Sequence, residues 1–515
     1  MSASPSTTPR DQSPDPSLDA DATLLAQLGY KQELHRGMSG FSNFAVSFSI
    51  ISILSGAITT YYLAMDAGGP VAMTIGWPVV GIFVLCVALA MAEVCSSYPT
   101  AGGLYFWAGR LARSNKRLWA WYVGWFNFLG EVAVTAAIDY GAAITWMALL
   151  NLVFGVNVSL VSTFVAFVII IGLHGLLNTF GVNLVRVLSN VSAWWHLAGV
   201  AVIVAILAFV PDRHQSLSWT FTEFRNETGF SNGVYAFLIG LLMAQYTFTG
   251  YDASAHVAEE TRGAAIEAPK GIVRSVWVSI IAGWVLLIAI TAAIQDYAAE
   301  RATDTGLPPA QIFIDAAGGT LGKLMLFICA IAQFFCGMAS VTANSRMSYA
   351  FSRDGALPGS RLWAKVNPRT GTPTNSIWLC VVCSVILTLP ALHTVVAFAA
   401  VTSIAVIGLY IAYAVPVFLR RRNPGFREGP WTLGRWSAPI GWIAVVWVVF
   451  IVILFMLPAY APGTFGDNTF NYAPIAVVAV LVFATVMWLG GGRTHFMKDV
   501  PEGHDTRPAS ELLSD

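Results

Sequence analysis

Charge is what this sequence has least of. Asp, Glu, Lys and Arg make up 11% of its 515 residues, against about 25% in an ordinary soluble domain. So thin a supply cannot cover a soluble surface of this size. Neither sign prevails: 28 basic residues balance 28 acidic ones, which removes any bulk attraction to nucleic acid. Cysteine is scarce as well. Cys86, Cys95, Cys329, Cys336, Cys380 and Cys383 all fall in or beside apolar runs, so no extracellular disulfide framework is visible. Cys380 and Cys383 have redox spacing, but inside an apolar stretch packing accounts for them. The eight His are scattered, with no His-x-x-x-His pair, Cys-rich finger or phosphate-cradling Gly-Lys-Ser loop. A membrane enzyme would therefore lack a visible nucleophile–base pair or metal cluster. A channel would lack a filter motif or rings of charge. No cofactor or metal is expected. Met1 to Arg36 lacks the basic start and short apolar core of a signal peptide. Its Ser, Pro, Thr and Asp content suggests a disordered cytoplasmic tail over 1–36, with a second tail over 492–515.

Hydrophobic residues, by contrast, make up 56%. They are blocked into runs of about 20, the length of a helix that crosses a bilayer core. The expected fold is an all-α polytopic membrane domain over 37–491. Its twelve spans are placed at 38–66, 70–97, 118–150, 159–178, 186–210, 233–257, 272–295, 320–350, 374–391, 394–419, 437–458 and 472–490. The ninth and tenth are separated only by Ala391, Leu392 and His393, a tight hairpin. With twelve spans, 24 of the 28 Lys and Arg fall on one side, leaving Arg213, Arg225, Arg301 and Lys323 on the other. Cytoplasmic loops carry that excess, so both ends are expected in the cytosol, in a plasma or inner membrane. The Arg420–Arg421–Arg422 run reads as a stop-transfer flank, with anionic lipid headgroups as its other natural contact.

Two spans carry small and hydroxyl residues around a central Gly. The first reads Ile50-Ile-Ser-Ile-Leu-Ser-Gly-Ala-Ile-Thr-Thr60 and the sixth Tyr246-Thr-Phe-Thr-Gly-Tyr-Asp-Ala-Ser254. Five spans separate their starts. That is the spacing of a five-plus-five inverted repeat, about 38–210 and 233–419, with two accessory helices over 437–490. Such repeats place a ligand where matching helices are interrupted. An unwound turn bares peptide groups that are tolerable at this depth only against a cavity or ligand. N–H groups of Ser55, Gly56 and Ala57 would suit a carboxylate. Carbonyls of Thr247, Phe248 and Thr249 would suit an ammonium. Close helix packing would use the same glycines.

Longer motifs add a resemblance. Phe248-Thr-Gly-Tyr-Asp-Ala-Ser-Ala-His-Val-Ala-Glu-Glu-Thr261, followed by Ala268-Pro-Lys-Gly271, resembles the sixth helix and following loop of permeases of the amino acid–polyamine–organocation superfamily. Glu93 with Tyr98-Pro-Thr-Ala-Gly-Gly-Leu-Tyr-Phe-Trp107 resembles their second helix and the loop after it. Ser345-Arg-Met and Ala350-Phe-Ser-Arg-Asp-Gly-Ala-Leu-Pro358 resemble the end of their eighth. Ser47 to Leu54 with Gly68-Gly-Pro-Val71 is most similar to the amino acid/choline branch, which includes 4-aminobutyrate permeases. The resemblance covers about residues 30 to 490. It implies the leucine-transporter-type fold, alternating access, and carriage of an amino acid or amine. It also implies carboxylate binding at Ser55, Gly56 and Ala57, amine binding at Thr247 to Thr249, and Phe248 or Tyr251 closing over the ligand. The other readings are a choline or polyamine carrier, an exchanger, and a nutrient sensor on the same fold.

Ionisable residues within apolar spans are functional candidates by default. His196, near the centre of the fifth span, is a candidate proton carrier; a neutral His bonded to backbone is the alternative. Glu131, mid-way along the third, stands where relatives of that branch carry Gln. Its candidate partners are a substrate ammonium, His196, or a second helix through a protonated carboxyl. Asp252, just past the sixth-span break, either caps the following half-helix or touches substrate. Asp139 lies further out and could meet water. Glu93, Glu259 and Glu260 are expected to pair with loop Arg or Lys residues as an inner gate.

Overall fold

The computed structural model describes residues 16–394, 396–464 and 470–498. Among the described residues, eleven helices are long and apolar enough to cross a membrane. An interrupted helix supplies a twelfth. Span 1 comprises Gly40–Ile51, Gly56–Thr59 and Tyr61–Asp66, and span 6 comprises Gly233–Gly240, Leu242–Thr247 and Ala253–His256. Span 2 runs over Pro70–Ser97, span 3 over Lys116–Phe154, span 4 over Leu160–Thr179 and span 5 over Val182–Phe209. Span 7 is Ala264–Ala292, and span 8 is Pro308–Arg353, with a kink where Gly318 leaves helical geometry. Spans 9 to 12 are Thr374–Thr388, Val396–Arg422, Ser437–Met456 and Ala473–Met487.

Span 3 has 39 residues, about 58 Å of helix at 1.5 Å per residue. That exceeds the roughly 30 Å hydrocarbon core, so span 3 tilts or projects beyond it. It packs most heavily on spans 8 and 10, and its apolar central stretch is almost wholly buried. Span 12 buries almost nothing. Its outward Val478, Val482 and Val486, like Val165, Ile169 and Leu176 on span 4, form bare apolar stripes. In water such stripes would drive association; in lipid they are the solvated surface.

Span 7 starts eight residues earlier than the apolar run suggests. The connection between spans 2 and 3 is not a simple basic loop, because Gly103–Leu111 forms a helix in it. The N-terminal segment also departs from expectation. Residues 1–15 lie outside the described chain, but Pro16–Gln27 is helical. Asp21 accepts the Gly263 and Ala264 N–H groups at 2.7 and 3.2 Å. It thereby caps span 7, whose own N-cap, Gly263, has no side chain to offer. Tyr30 donates to Asp354 at 2.8 Å, and Gln32 to the Glu259 carbonyl at 2.9 Å. Both described ends share one face. Arg110 donates to the Leu28 carbonyl, and Arg117 to that of Phe496. Of the C-terminal tail, residues 493–498 pack there, and 499–515 lie outside the described residues.

Candidate functional site

The first break begins at Ser52, which sits in the left-handed region (φ 32°, ψ 83°) while its N–H still closes the helix on Phe48. A non-Gly residue there costs about 1–2 kcal/mol. Contacts from other spans hold it. His196 Nε2 lies 2.7 Å from Ser52 Oγ, and Cys336 Sγ donates to the Ile50 carbonyl at 3.2 Å. The Ser55 and Gly56 N–H groups both turn back to the Ser52 carbonyl, at 2.8 and 3.0 Å. Two of the three expected donors are therefore engaged. Among the described residues, the N–H groups of Ala57 and Ile58 have no acceptor. They are the orphan donors of the outer half-helix.

The second break follows Thr247. Gly250 adopts φ 86°, and a Cβ on it would stand 2.1 Å from Ile50 Cγ2. Both conformation and space demand glycine. The Phe248 carbonyl accepts from Tyr410 at 2.7 Å and that of Tyr251 from Ser47 at 3.0 Å. Among the described residues, the Thr247 and Thr249 carbonyls have no donor. The two breaks touch: a Cβ on Gly56 would stand 2.8 Å from Thr247 Oγ1 and 3.0 Å from Thr247 Cα. Free donors on one half-helix thus lie beside free acceptors on another.

Phe248 packs on Trp77, with ring centroids 4.4 Å apart, and Tyr251 packs on Tyr413 at 5.0 Å. A cavity of about 620 Å³ opens on the face opposite the chain ends, lined by Thr59, Tyr62, Asp66, Tyr140, Phe398 and Tyr460 among others. It begins one turn outward of the span 1 break. Neither Phe248 nor Tyr251 lines it. At its mouth Asp66 pairs with Arg301 and accepts from Tyr460.

The opposite face is closed by ion pairs. Arg346 meets Glu260 at 2.7 Å with both side chains buried, and Arg353 meets Glu259 at 3.0 Å. Glu93 accepts from Arg421 at 3.0 Å and from Ser437. The three glutamates pair with arginines, but these stand on the inner ends of spans 8 and 10 and not on loops as expected.

The ionisable residues sort into three buried centres. His196 Nδ1 is 2.7 Å from the Ser192 carbonyl, an acceptor, so Nδ1 carries the hydrogen. Nε2 then accepts from Ser52. Asp139 does not meet water: it is fully buried, 2.6 Å from His174 Nδ1. Among the described residues, Glu131 pairs with neither His196 nor a Lys or Arg. Its Oε1 lies 3.8 Å from His256 Nε2, and Asp252 Oδ2 lies 3.3 Å from the same atom. Asp252 makes no capping bond to the half-helix it precedes; its Oδ1 accepts from Tyr413 at 2.7 Å. Sequence reasoning passed over His256, His174 and Tyr413. The four-residue step from Asp252 to His256, one helical turn, was the available signal for the first.

Residues 38–482 match the amino acid permease family. Over 98% of its length the chain is 43% identical to the amino-acid permease BAT1 of Arabidopsis thaliana, covering 99% of that protein. It is 42% identical to the BAT1 homolog of Oryza sativa, with 93% of this chain and 95% of that one aligned. An uncharacterized amino-acid permease of Schizosaccharomyces pombe is 33% identical, with 93% and 89% aligned. Interrupted spans, matched length and family agree on a multi-pass transporter rather than an enzyme, and the chain belongs to the amino acid permease family within the amino acid–polyamine–organocation superfamily.

Proposed function

We propose that the chain is a secondary carrier that brings an amino acid, 4-aminobutyrate included, into the cytosol together with a proton by alternating access. The observation that carries this is the meeting of the two breaks at Gly56 and Thr247. The Ala57 N–H, with that of Ile58, would hold the carboxylate, and the Thr247 and Thr249 carbonyls the ammonium. Ser55 and Gly56 would shape that turn. Phe248 and Tyr251, flanking the acceptors, would shift to enclose the ligand. The outward cavity and the paired inner face suit a state that loads from outside. The two breaks, five spans apart, support an inverted repeat over about 38–210 and 233–419. The basic face would lie in the cytosol, across the plasma or inner membrane.

Uptake of radiolabelled amino acids into proteoliposomes tests the reading. Accumulation above the equilibrium level is expected when the outside is made acid. Uptake that only equilibrates, whatever the pH gradient, would leave a facilitator or exchanger in its place. Replacing Gly56 by Val fills the junction and is expected to abolish uptake with the fold retained in a melting assay; undiminished uptake would sink the site.

A further inference from the structure

Two carboxylates, Glu131 and Asp252, flank one imidazole, that of His256, in the protein interior. Among the described residues, no Lys or Arg lies within salt-bridge reach of Glu131 or Asp252. Asp252 and His256 are fully buried and Glu131 nearly so. One ligand atom from each lies within 4.8 Å of the other two. Around them stand Asn127 from span 3, Tyr413 and Tyr410 from span 10, Tyr251 from the break, and Cys380 from span 9. The Cys380 thiol is committed to Asn344 and Ser348. Asn344 in turn donates to the Glu131 carbonyl. None of these supplies a positive charge, and a pair of buried anions without one is strongly unfavourable.

The hydrogen bonds leave one opening. His256 Nδ1 is 2.9 Å from the Ala101 carbonyl and so carries a hydrogen there. Only Nε2 can change. Asp252 Oδ2, although 3.3 Å from His256 Nε2, accepts no hydrogen bond, and neither does Asn127 Oδ1. The Asn127 amide nitrogen sits 3.3 Å from Nε2. An amide can offer its NH₂ to a bare nitrogen or, turned over, its oxygen to an N–H. Asn127 can thus satisfy the ring in either state. Its amide also faces the lone pair that a metal would need.

We propose that Glu131, Asp252 and His256 form the site that carries the coupling proton. This rests on the proton-coupled reading above and moves the proton from His196, whose two nitrogens are already satisfied, to the cluster. One proton from water outside forms an O–H or N–H bond within the cluster. The same bond breaks to water on the cytosolic side, so one positive charge crosses with each substrate. His256 ends the four-residue half-helix Ala253–His256 after the span 6 break, Asp252 stands just before it, and Glu131 lies on the long span 3. Protonation therefore alters the hold between the short element after the break and span 3.

The test follows proton entry, with a pH dye trapped in proteoliposomes, beside labelled substrate. The wild type is expected to admit about one proton per substrate. In Glu131→Gln that ratio falls toward zero, and remaining downhill uptake loses its stimulation by acid. Should that variant fail to fold, His256→Gln is read in the same assay. His196→Ala is expected to keep the wild-type ratio. A coupled wild type whose Glu131→Gln and His256→Gln forms stay coupled overturns this inference alone. A wild type that moves no protons with substrate overturns the coupling itself. Loss of coupling on chelator treatment, with zinc bound stoichiometrically, would make the cluster a metal site instead.

Discussion

At the scale of single residues, burial decides what a polar side chain can do. Glu300, in the short helix Tyr297–Arg301 outside the spans, has no exposed surface. Its Oε1 accepts the Gln295 N–H at 3.0 Å, and its Oε2 has no partner. Burial pushes its carboxyl up to about 7 from the ordinary 4.5, with the Gln295 hydrogen bond only partly offsetting this. A raised carboxyl means that the folded chain keeps a proton the unfolded chain has released. Stability from this group is therefore complete at acid pH and declines from 4.5 toward about 7. The whole effect is at most about 3 kcal/mol. Glu300→Gln keeps an acceptor and adds no charge. It is expected to melt with the wild type in acid and several degrees above it in mildly alkaline buffer; parallel melting curves across that range would refute the argument. Sequence reading singled out Glu131, Asp252 and His196 because charge inside an apolar run is conspicuous. It offered His196 among three candidate partners of Glu131 and did not consider His256, since linear distance says nothing about which helices touch.

At the scale of elements, the helices were legible and their interruptions nearly so. Runs of about 20 apolar residues fix spans because no other backbone arrangement satisfies its own N–H and C=O groups in lipid. Gly250 marks its break for a physical reason visible in the structure: positive φ and contact with Ile50. Gly250→Ala combines left-handed strain with overpacking, together roughly 2–5 kcal/mol. It is expected to lower the melting temperature clearly. Gly319→Ala, with nothing within 4 Å of the added methyl, should shift it little. Equal melting of the two would mean that span 6 does not turn at Gly250. The Ser55 and Gly56 donors were misjudged because one carbonyl, that of Ser52, takes both. The helix Gly103–Leu111 was missed because its Gly-Gly start reads as a turn.

For the whole molecule, the two faces differ in charge and in closure. One gathers both described chain ends, the buried pair Arg346–Glu260 and the part-buried pair Arg353–Glu259. The other carries Arg213, Arg225 and Arg301, and the cavity opens there beside the Arg301–Asp66 pair. With the basic face in the cytosol, an impermeant maleimide applied to intact cells should label Arg213→Cys and spare Arg369→Cys. The opposite pattern would invert the topology. Composition and run length alone determined that this chain lives in a membrane and crosses it about twelve times, and the Gly-centred small and hydroxyl residues of spans 1 and 6 marked where two helices could break, because lipid penalises every unpaired peptide group wherever it occurs in the chain. Only the tertiary structure decided which broken ends meet, that the segment from Asp21 to Arg36 caps and braces the closed face, and that Glu131 faces His256. Those contacts join residues more than a hundred positions apart, and the rotation and tilt of packed helices, which no local pattern encodes, bring them together.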